Sequence, residues 1–511
     1  MAVIETEGIH YARLAENLAV GRGFVGVRGT VLLEYPPLFP ALIAGAMQLG
    51  LSSEAAGRGI SLILGASLPF VVFLLGRKLY GFAAGAFAGL LAAVHPLLVA
   101  LSVAVLSEST SLFLSLLGAF AVLRLLESNA KRHAVVAGVC FGAAYLCRPE
   151  ALIVVACLTL LVVAANRGQR KMAAWRAGQL LLVFAVFAVP YVVILSIYAG
   201  QFRFEAKTQE AVAYVQSRER GEDPRQFYFG ISADLQEQEA MASDLLLLQR
   251  THASVFQQIA IVLRTARDNI PTLFRGLDGL FFGQPLVGLL AGLGLFTAAW
   301  GRGRLRDEIP LLVLAALTTV SAWTWPFLHD RFYFPVIAPL IVWSGGGIEW
   351  LRAWGRDGAM RLGLNGRIAS VANALAVAFL VAMVCVSSAV GVRASDELSQ
   401  SARIGLREDK AVGQWLRTQV AGSALVVDTG PTVTYYANAI LVPYPWTDGL
   451  TALRYLEIRR VDFVIVRDLD ATSRPYLSAW LARFPEGRAK LIRTFAGAQG
   501  NTYVYRWVPA T

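Results

Sequence analysis

The sequence predicts an all-α polytopic membrane protein of about ten transmembrane helices, with a small extracytoplasmic α/β domain at its C-terminal end. Three observations carry this. Of 511 residues, 56% are hydrophobic and only 16% charged, more apolar side chain than a soluble fold buries. The excess is gathered into runs near the ~20 residues that a membrane-crossing helix needs. The last stretch of chain lacks such runs and alternates short β-like and helical segments.

In order, the apolar runs lie at about 57–76, 82–100, 106–126, 134–147, 150–166, 176–198, 284–300, 309–325, 334–352 and 367–392. Every second gap between them is basic. Arg77 and Lys78 fill the first such gap and Lys131 and Arg132 the next, followed by Arg167, Arg170, Lys171 and Arg176. Arg302, Arg304 and Arg306 occupy another, and Arg352, Arg356, Arg361 and Arg367 the last. Under the positive-inside rule these gaps are cytoplasmic. An even number of spans then puts both chain ends on the opposite face, together with the long loop at 199–283. The excess of 46 Lys and Arg over 35 Asp and Glu therefore reports topology, and no nucleic-acid partner is expected.

This divides the chain into a membrane domain, 1–392, and an extracytoplasmic α/β domain, 393–511. Residues 1–56 form the first outer loop. Within it "YPPLFPALIAGAMQLG" at 35–50 is too short and proline-rich to span, and reads as an interfacial or half-inserted helix. In the tail, "SALVVDTG", "VDFVIVRD" and "NTYVYRW" read as strands, separated by helical stretches such as "DKAVGQWLRTQV" and "GLTALRYLEIRR". The cysteines Cys140, Cys147, Cys157 and Cys385 sit in or beside apolar runs, without metal-ligand spacing, and read as small buried hydrophobes. An outward N-terminus with no preceding apolar segment leads to the expectation that a helix precedes Met1 in the natural chain.

Ionisable residues gather on the outer face. "ETEGIHYARLAENLAVGRGF" supplies Glu5, Glu7, His10, Tyr11 and Arg22, with Glu34 following; "LSEST" supplies Glu108 and "CRPE" Arg148 and Glu150. "FLHDRFYFP" supplies His329, Asp330, Arg331 and Tyr333. Charges at membrane depth are costly and are usually paired or functional. A carboxylate here could take a proton from an attacking hydroxyl, while a guanidinium holds a phosphate leaving group through paired hydrogen bonds. That pairing suits sugar transfer from a lipid phosphate.

At these residues the chain resembles the GT-C membrane glycosyltransferases. That group includes the protein O-mannosyltransferases and the aminoarabinose transferase of lipid A, which use polyprenyl-phosphate sugars on the extracytoplasmic face. The resemblance rests on an ordered set: Glu7 and Tyr11 in the first outer loop, "PPLFPALIA", "GRKLYG", "LSESTSLFL", "CRPEALIV" and "HDRFYFPVIAPLI". It covers roughly residues 5–350. Where the group's pattern has an aspartate, often followed by a second acid, this chain has Glu7 and Gly8.

The resemblance implies an inverting transfer from a polyprenyl-phosphate sugar to a lipid, glycan or protein hydroxyl. Glu7 would be the base, Glu108 a second acid, and Arg148 and Arg331 the phosphate binders, with His329, Asp330, Tyr333 and His10 as further substrate-binding candidates. The donor is a co-substrate, so no cofactor is expected, and metal independence is expected because no cluster has metal-ligand spacing. Plainer roles stay open. Glu7 could be solvated in its loop, Glu108 could stabilise a helix N-terminus, Arg148 and Arg331 could snorkel to headgroups, and the histidines could bond within the loops. Two other classes also stay open. A transporter or lipid-linked glycan flippase would place charges near the midplane on broken helices, and a non-catalytic relative would only bind glycan.

Overall fold

The computed structural model describes residues 3–232, 234–237, 255–271, 285–325, 332, 334–363, 365–420, 424–485 and 487–508. The chain opens on α1 (Thr6–Ala19) and the short apolar α2 (Leu38–Met47). Ser52 caps α3 (Ser53–Tyr80) by accepting from the Ala55 N–H at 3.2 Å. Gly81, at φ 97°, makes a turn that a side chain would strain, and α4 (Phe82–Val94) follows at once. A 58° bend at His95 then leads into α5 (Pro96–Ser102), whose first-turn proline has no amide hydrogen to leave unpaired. Next come α6 (Glu108–Ser128), α7 (Lys131–Tyr145), α8 (Ala151–Ala165) and α9 (Arg170–Ala199). The long segment after α9 holds α10 (Lys207–Glu219), α11 (Pro224–Phe229) and α12 (Val255–Asp268). The membrane part closes with α13 (Pro285–Phe296), α14 (Arg302–Trp323), α15 (Phe334–Arg361) and α16 (Gly366–Arg417).

Five of the described helices are long and apolar enough to cross a membrane: α3, α6, α9, α15 and the first part of α16. They become six if the bent α4–α5 pair is one span. Their outward faces are apolar, as at Leu182 (69% exposed) and Phe379 (65% exposed), a surface that only lipid covers over this extent. The chain is an integral multi-pass membrane protein. The other runs expected to span are also helical, but α7 and α8 have 15 residues each and α13 has 12. At ~1.5 Å per residue that is short of a ~30 Å hydrocarbon core. Small residues bring helices close. A side chain at Gly294 or Gly347 would run into a facing backbone carbonyl, of Trp343 or of Leu290.

The three strands read in the tail form, as β1 (Leu425–Asp428), β3 (Phe463–Arg467) and β5 (Gly500–Trp507). Two more join them, β2 (Ile440–Pro443) and β4 (Ala489–Gly497), in the order β2-β1-β3-β5-β4. Strands β2, β1 and β3 are parallel, with Val426 opposite Leu441 and Val427 opposite Val464, while β5 runs antiparallel to β3 and β4 antiparallel to β5. The central strands are buried almost throughout, as parallel strands covered on both faces must be. Around them lie α17 (Thr432–Ala437), α18 (Gly449–Ile458) and α19 (Leu477–Ala482). Helix α16 is continuous from Gly366 to Arg417, so the tail follows the last membrane helix without a break.

The tail also holds the α1–α2 connection and the segment after α9. The amide of Leu441 on edge strand β2 donates to Val27 O at 2.9 Å, and that of Trp446 donates to Phe229 O at 2.7 Å. The buried Ile231 completes the tail core beside Val442 and Tyr455.

Candidate functional site

Glu7 lies in the first turn of α1 and is half-buried. Its neighbour Gly8 is pressed against the stretch leading into α6. A Cβ there would stand 2.9 Å from the Val105 carbonyl oxygen and 2.9 Å from Ile4 Cγ1. This close approach is the physical reason the position after Glu7 holds no side chain. One turn on, the Tyr11 hydroxyl shares a 2.9 Å hydrogen bond with Ser107 Oγ, and its ring meets Tyr35 and Phe39 edge-on at 4.9 and 5.1 Å. Burial first, then the charges of Glu7 and Glu108, raise the Tyr11 phenol's pKa, so it stays protonated. Tyr11 thus ties the Glu7 helix to the residue before Glu108.

Glu108 opens α6 with no exposed surface. Arg148, in the turn between α7 and α8, reaches it with Nη1 at 3.5 Å from Oε1, and reaches Glu150 Oε1 with Nη2 at 3.3 Å. Its guanidinium lies over the Phe334 ring, 5.2 Å from the centroid. Burial works against the charge on Arg148, but Glu150, Glu108, Tyr11 and Glu7 outweigh it and hold the guanidinium firmly protonated. Burial alone would raise the Glu150 pKa; Arg148 and Lys207 among others bring it below the ordinary range. Arg148 therefore pairs with Glu108 and also feels the charge of Glu7, although the three lie far apart in sequence.

His10 stacks on Tyr35 at 5.4 Å and 10°. Burial, with help from Arg28, lowers its pKa to about 4 against the opposing pull of Glu7, so it is neutral near pH 7 and presents no positive charge to a phosphate. His329, Asp330, Arg331 and Tyr333 lie outside the described residues.

Beside Arg148 opens a cavity of about 200 Å³. Its lining is largely apolar, with Leu112, Val154, Leu314 and Phe334 among the residues, and Arg148, Glu150, Glu205 and Lys207 supply its charged groups. Lys207 Nζ also sits 5.8 Å from the centre of the Trp325 ring. Sequence reasoning missed Lys207 and Glu205. They belong to the long segment after α9, carry no motif, and reach the site only because the chain doubles back there, where the Tyr145 hydroxyl donates to Phe204 O. The arrangement suits an amphiphile: an apolar tail in the cavity, an anionic group at Arg148 and Lys207, and carboxylates within reach of whatever that group carries. Among the described residues, no group of three or more His, Cys, Asp or Glu side chains has the geometry to hold a metal ion.

This is the fold of the GT-C membrane glycosyltransferases. Residues 34–194 match the family model described as dolichyl-phosphate-mannose-protein mannosyltransferase. The structure is similar to ArnT from Cupriavidus metallidurans in the apo state, with a TM-score of 0.55 at 15% identity over 99% of this chain and 94% of that one. It is similarly close to the same protein bound to undecaprenyl phosphate, with a TM-score of 0.54 at 15% identity and the same coverage. The archaeal oligosaccharyltransferase AglB from Archaeoglobus fulgidus, in complex with an inhibitory peptide and a dolichol-phosphate, matches with a TM-score of 0.56 at 14% identity over 98% of this chain and 70% of that one. None of the curated proteins matches the chain in sequence.

Proposed function

We propose that this protein transfers a sugar from a polyprenyl-phosphate donor to a hydroxyl of a lipid, glycan or protein acceptor, with inversion at the sugar, on the extracytoplasmic face of the membrane. The observation that carries the reading is Arg148. It pairs with the buried Glu108 at 3.5 Å, lies within the field of Glu7, and lines an apolar cavity with Lys207. The polyprenyl chain lies along the cavity, and its phosphate is held by Arg148 and Lys207. Glu7 takes the proton from the acceptor hydroxyl as its oxygen attacks the anomeric carbon. The bond from that carbon to the phosphate oxygen breaks, and the charge left on the lipid phosphate is stabilised by the two cations. Glu108 orients Arg148, and Arg331 with His329, Asp330 and Tyr333 remains the proposed second flank of the donor.

The fold similarity to ArnT, including its form bound to undecaprenyl phosphate, supports the donor class. In this reading α7, α8, α13 and α14 also cross the membrane, giving ten spans, and the domain from about 393 covers the outer loops. The test is turnover by the purified protein in nanodiscs, given a panel of undecaprenyl-phosphate-linked radiolabelled sugars and a lipid extract as acceptor. Wild type is expected to consume at least one donor, and Glu7→Gln to lose at least 100-fold in kcat. A Glu7→Gln variant with the wild-type rate sinks Glu7 as base, and no turnover of any donor sinks the activity.

A further inference from the structure

We propose that the tail's short helix α17 positions the Glu7 helix, with Arg13 and Tyr436 as the positioning residues. This rests on the reading of Glu7 as the base. The two anchor points bracket it: Ile4 lies three residues before Glu7 and Arg13 six after it.

At the near end, the Ile4 N–H donates to the Tyr436 hydroxyl at 3.3 Å, and that hydroxyl donates to Glu54 Oε2 at 3.0 Å. Arg58 reaches the same Glu54 at 2.9 Å and donates to the carbonyls of Val3 and Val103, each at 2.8 Å. Lys410 of α16 completes the knot, 3.5 Å from Glu54 and 4.7 Å from the centre of the Tyr436 ring. The backbone that enters α1 is therefore fixed by the tail.

At the far end, Arg13 closes off the C-terminus of α17. Its Nη1 donates to Asn438 Oδ1 at 2.7 Å and its Nη2 to Tyr435 O at 3.1 Å. Asn438 itself is in the left-handed conformation (φ 54°) that ends the helix. The Tyr435 hydroxyl bonds Ser53 Oγ at 2.8 Å, and Ser53 donates to Glu16 Oε1 at 2.6 Å, one turn beyond Arg13. Arg13 is 9% exposed, so these bonds are shielded from competing water.

The helix also has no slack where it faces the stretch before Glu108, because Gly8 already meets Val105 there. The distance between Glu7 and the Glu108–Arg148 pair is thus set by a tail helix more than 400 residues away in sequence. A misplacement of ~1 Å at a reacting group costs on the order of 100-fold in rate.

Two measurements on the full chain in nanodiscs test this with Tyr436→Phe, which keeps the ring, and Arg13→Gln, with Arg13→Lys as the conservative control. Hydrogen–deuterium exchange of residues 4–15 is expected to quicken about tenfold or more in the first two, with α3 and α6 unchanged. With the donor that wild type consumes, kcat is expected to fall about 10- to 100-fold while the donor KM holds, and Arg13→Lys to recover part of the loss. Unchanged exchange overturns the proposal, as does faster exchange with an unchanged kcat. If Glu7→Gln keeps the wild-type rate, or no donor is consumed, the reading of Glu7 fails instead, and the exchange result still decides whether α17 holds the helix.

Discussion

Arg148 and Glu108 form an ion pair at 3.5 Å in which the carboxylate has no exposed surface and the guanidinium also reaches Glu150. Two charges at this depth are stable only as a set, because each supplies what burial takes from the other. The same guanidinium lines the cavity, which gives it a structural and a binding role at once.

Removing one partner is therefore worse than removing both. Arg148→Gln is expected to destabilise the protein by on the order of 3–5 kcal/mol, and Glu108→Gln combined with Arg148→Gln to recover part of that. Thermal unfolding in detergent gives the order of the three. In turnover, Arg148→Gln loses a charge-assisted bond to the donor phosphate of about 1.5–3 kcal/mol, a rise of roughly 10- to 100-fold in donor KM. A variant of normal stability and normal KM would remove Arg148 from the donor site.

Gly8 gives a substitution whose sign is decided by contact rather than propensity. In a helix, Gly→Ala ordinarily stabilises by up to about 1 kcal/mol. Here the added methyl meets the Val105 carbonyl at 2.9 Å, and a backbone oxygen cannot swing aside as a side chain can. Gly8→Ala is expected to destabilise by about 1–3 kcal/mol and to lower kcat, read from unfolding and turnover of one preparation.

Lys207 separates charge from shape. Lys207→Met keeps the length of the side chain but removes the ammonium that lines the cavity 5.8 Å from the centre of the Trp325 ring. Binding of undecaprenyl phosphate, measured by its thermal stabilisation of the protein, is expected to weaken about tenfold, in line with one lost charged hydrogen bond. Geranylgeraniol, which has no phosphate, should be indifferent to the change.

The membrane class was legible because it is a matter of composition: apolar runs and basic gaps show wherever they fall. The nearness of Glu7 to the Glu108–Arg148 pair was legible only as three motifs of an ordered set, since it depends on how α1, α6 and the α7–α8 turn pack. Lys207 was not legible. A lysine in a polar loop looks like any other until the fold brings it to Glu150. In the tail, β2 and β4 were missed for local reasons. "ILVP" is four residues long and ends in proline, and β4 is an edge strand whose exposed face breaks the apolar alternation that marks a strand. His10 shows the converse: the resemblance made it a substrate-binding candidate, and only its stacking on Tyr35 and its burial reveal a neutral ring.

The ion-pair cluster around Arg467 in the tail runs against the usual expectation for an ion pair. Arg467, at the end of β3, holds Asp428 through two bonds of 2.5 and 3.1 Å, Asp409 of α16 at 2.8 Å and Asp470 at 3.4 Å. One guanidinium cannot neutralise three carboxylates. Burial, with Asp428 and Asp470 adding to it against the pull of Arg467, raises Asp409 from 3.8 to about 6. The native state then binds a proton between those values that the unfolded chain does not. This contribution to stability is complete below the unfolded value and is lost as pH rises through about 6. Asp409→Asn is neutral at every pH and should lack that loss. Near pH 8 its tail is expected to be as stable as wild type or more so, by up to about 3 kcal/mol, and the advantage should fade toward pH 4. Hydrogen–deuterium exchange of β1 and β3 in the full chain measures it, with Asp428→Asn as the contrast: losing the doubly bonded partner should loosen both strands across the range. An Asp409→Asn tail that exchanges faster than wild type at pH 8 would show that the Arg467 bond outweighs the burial of the charge.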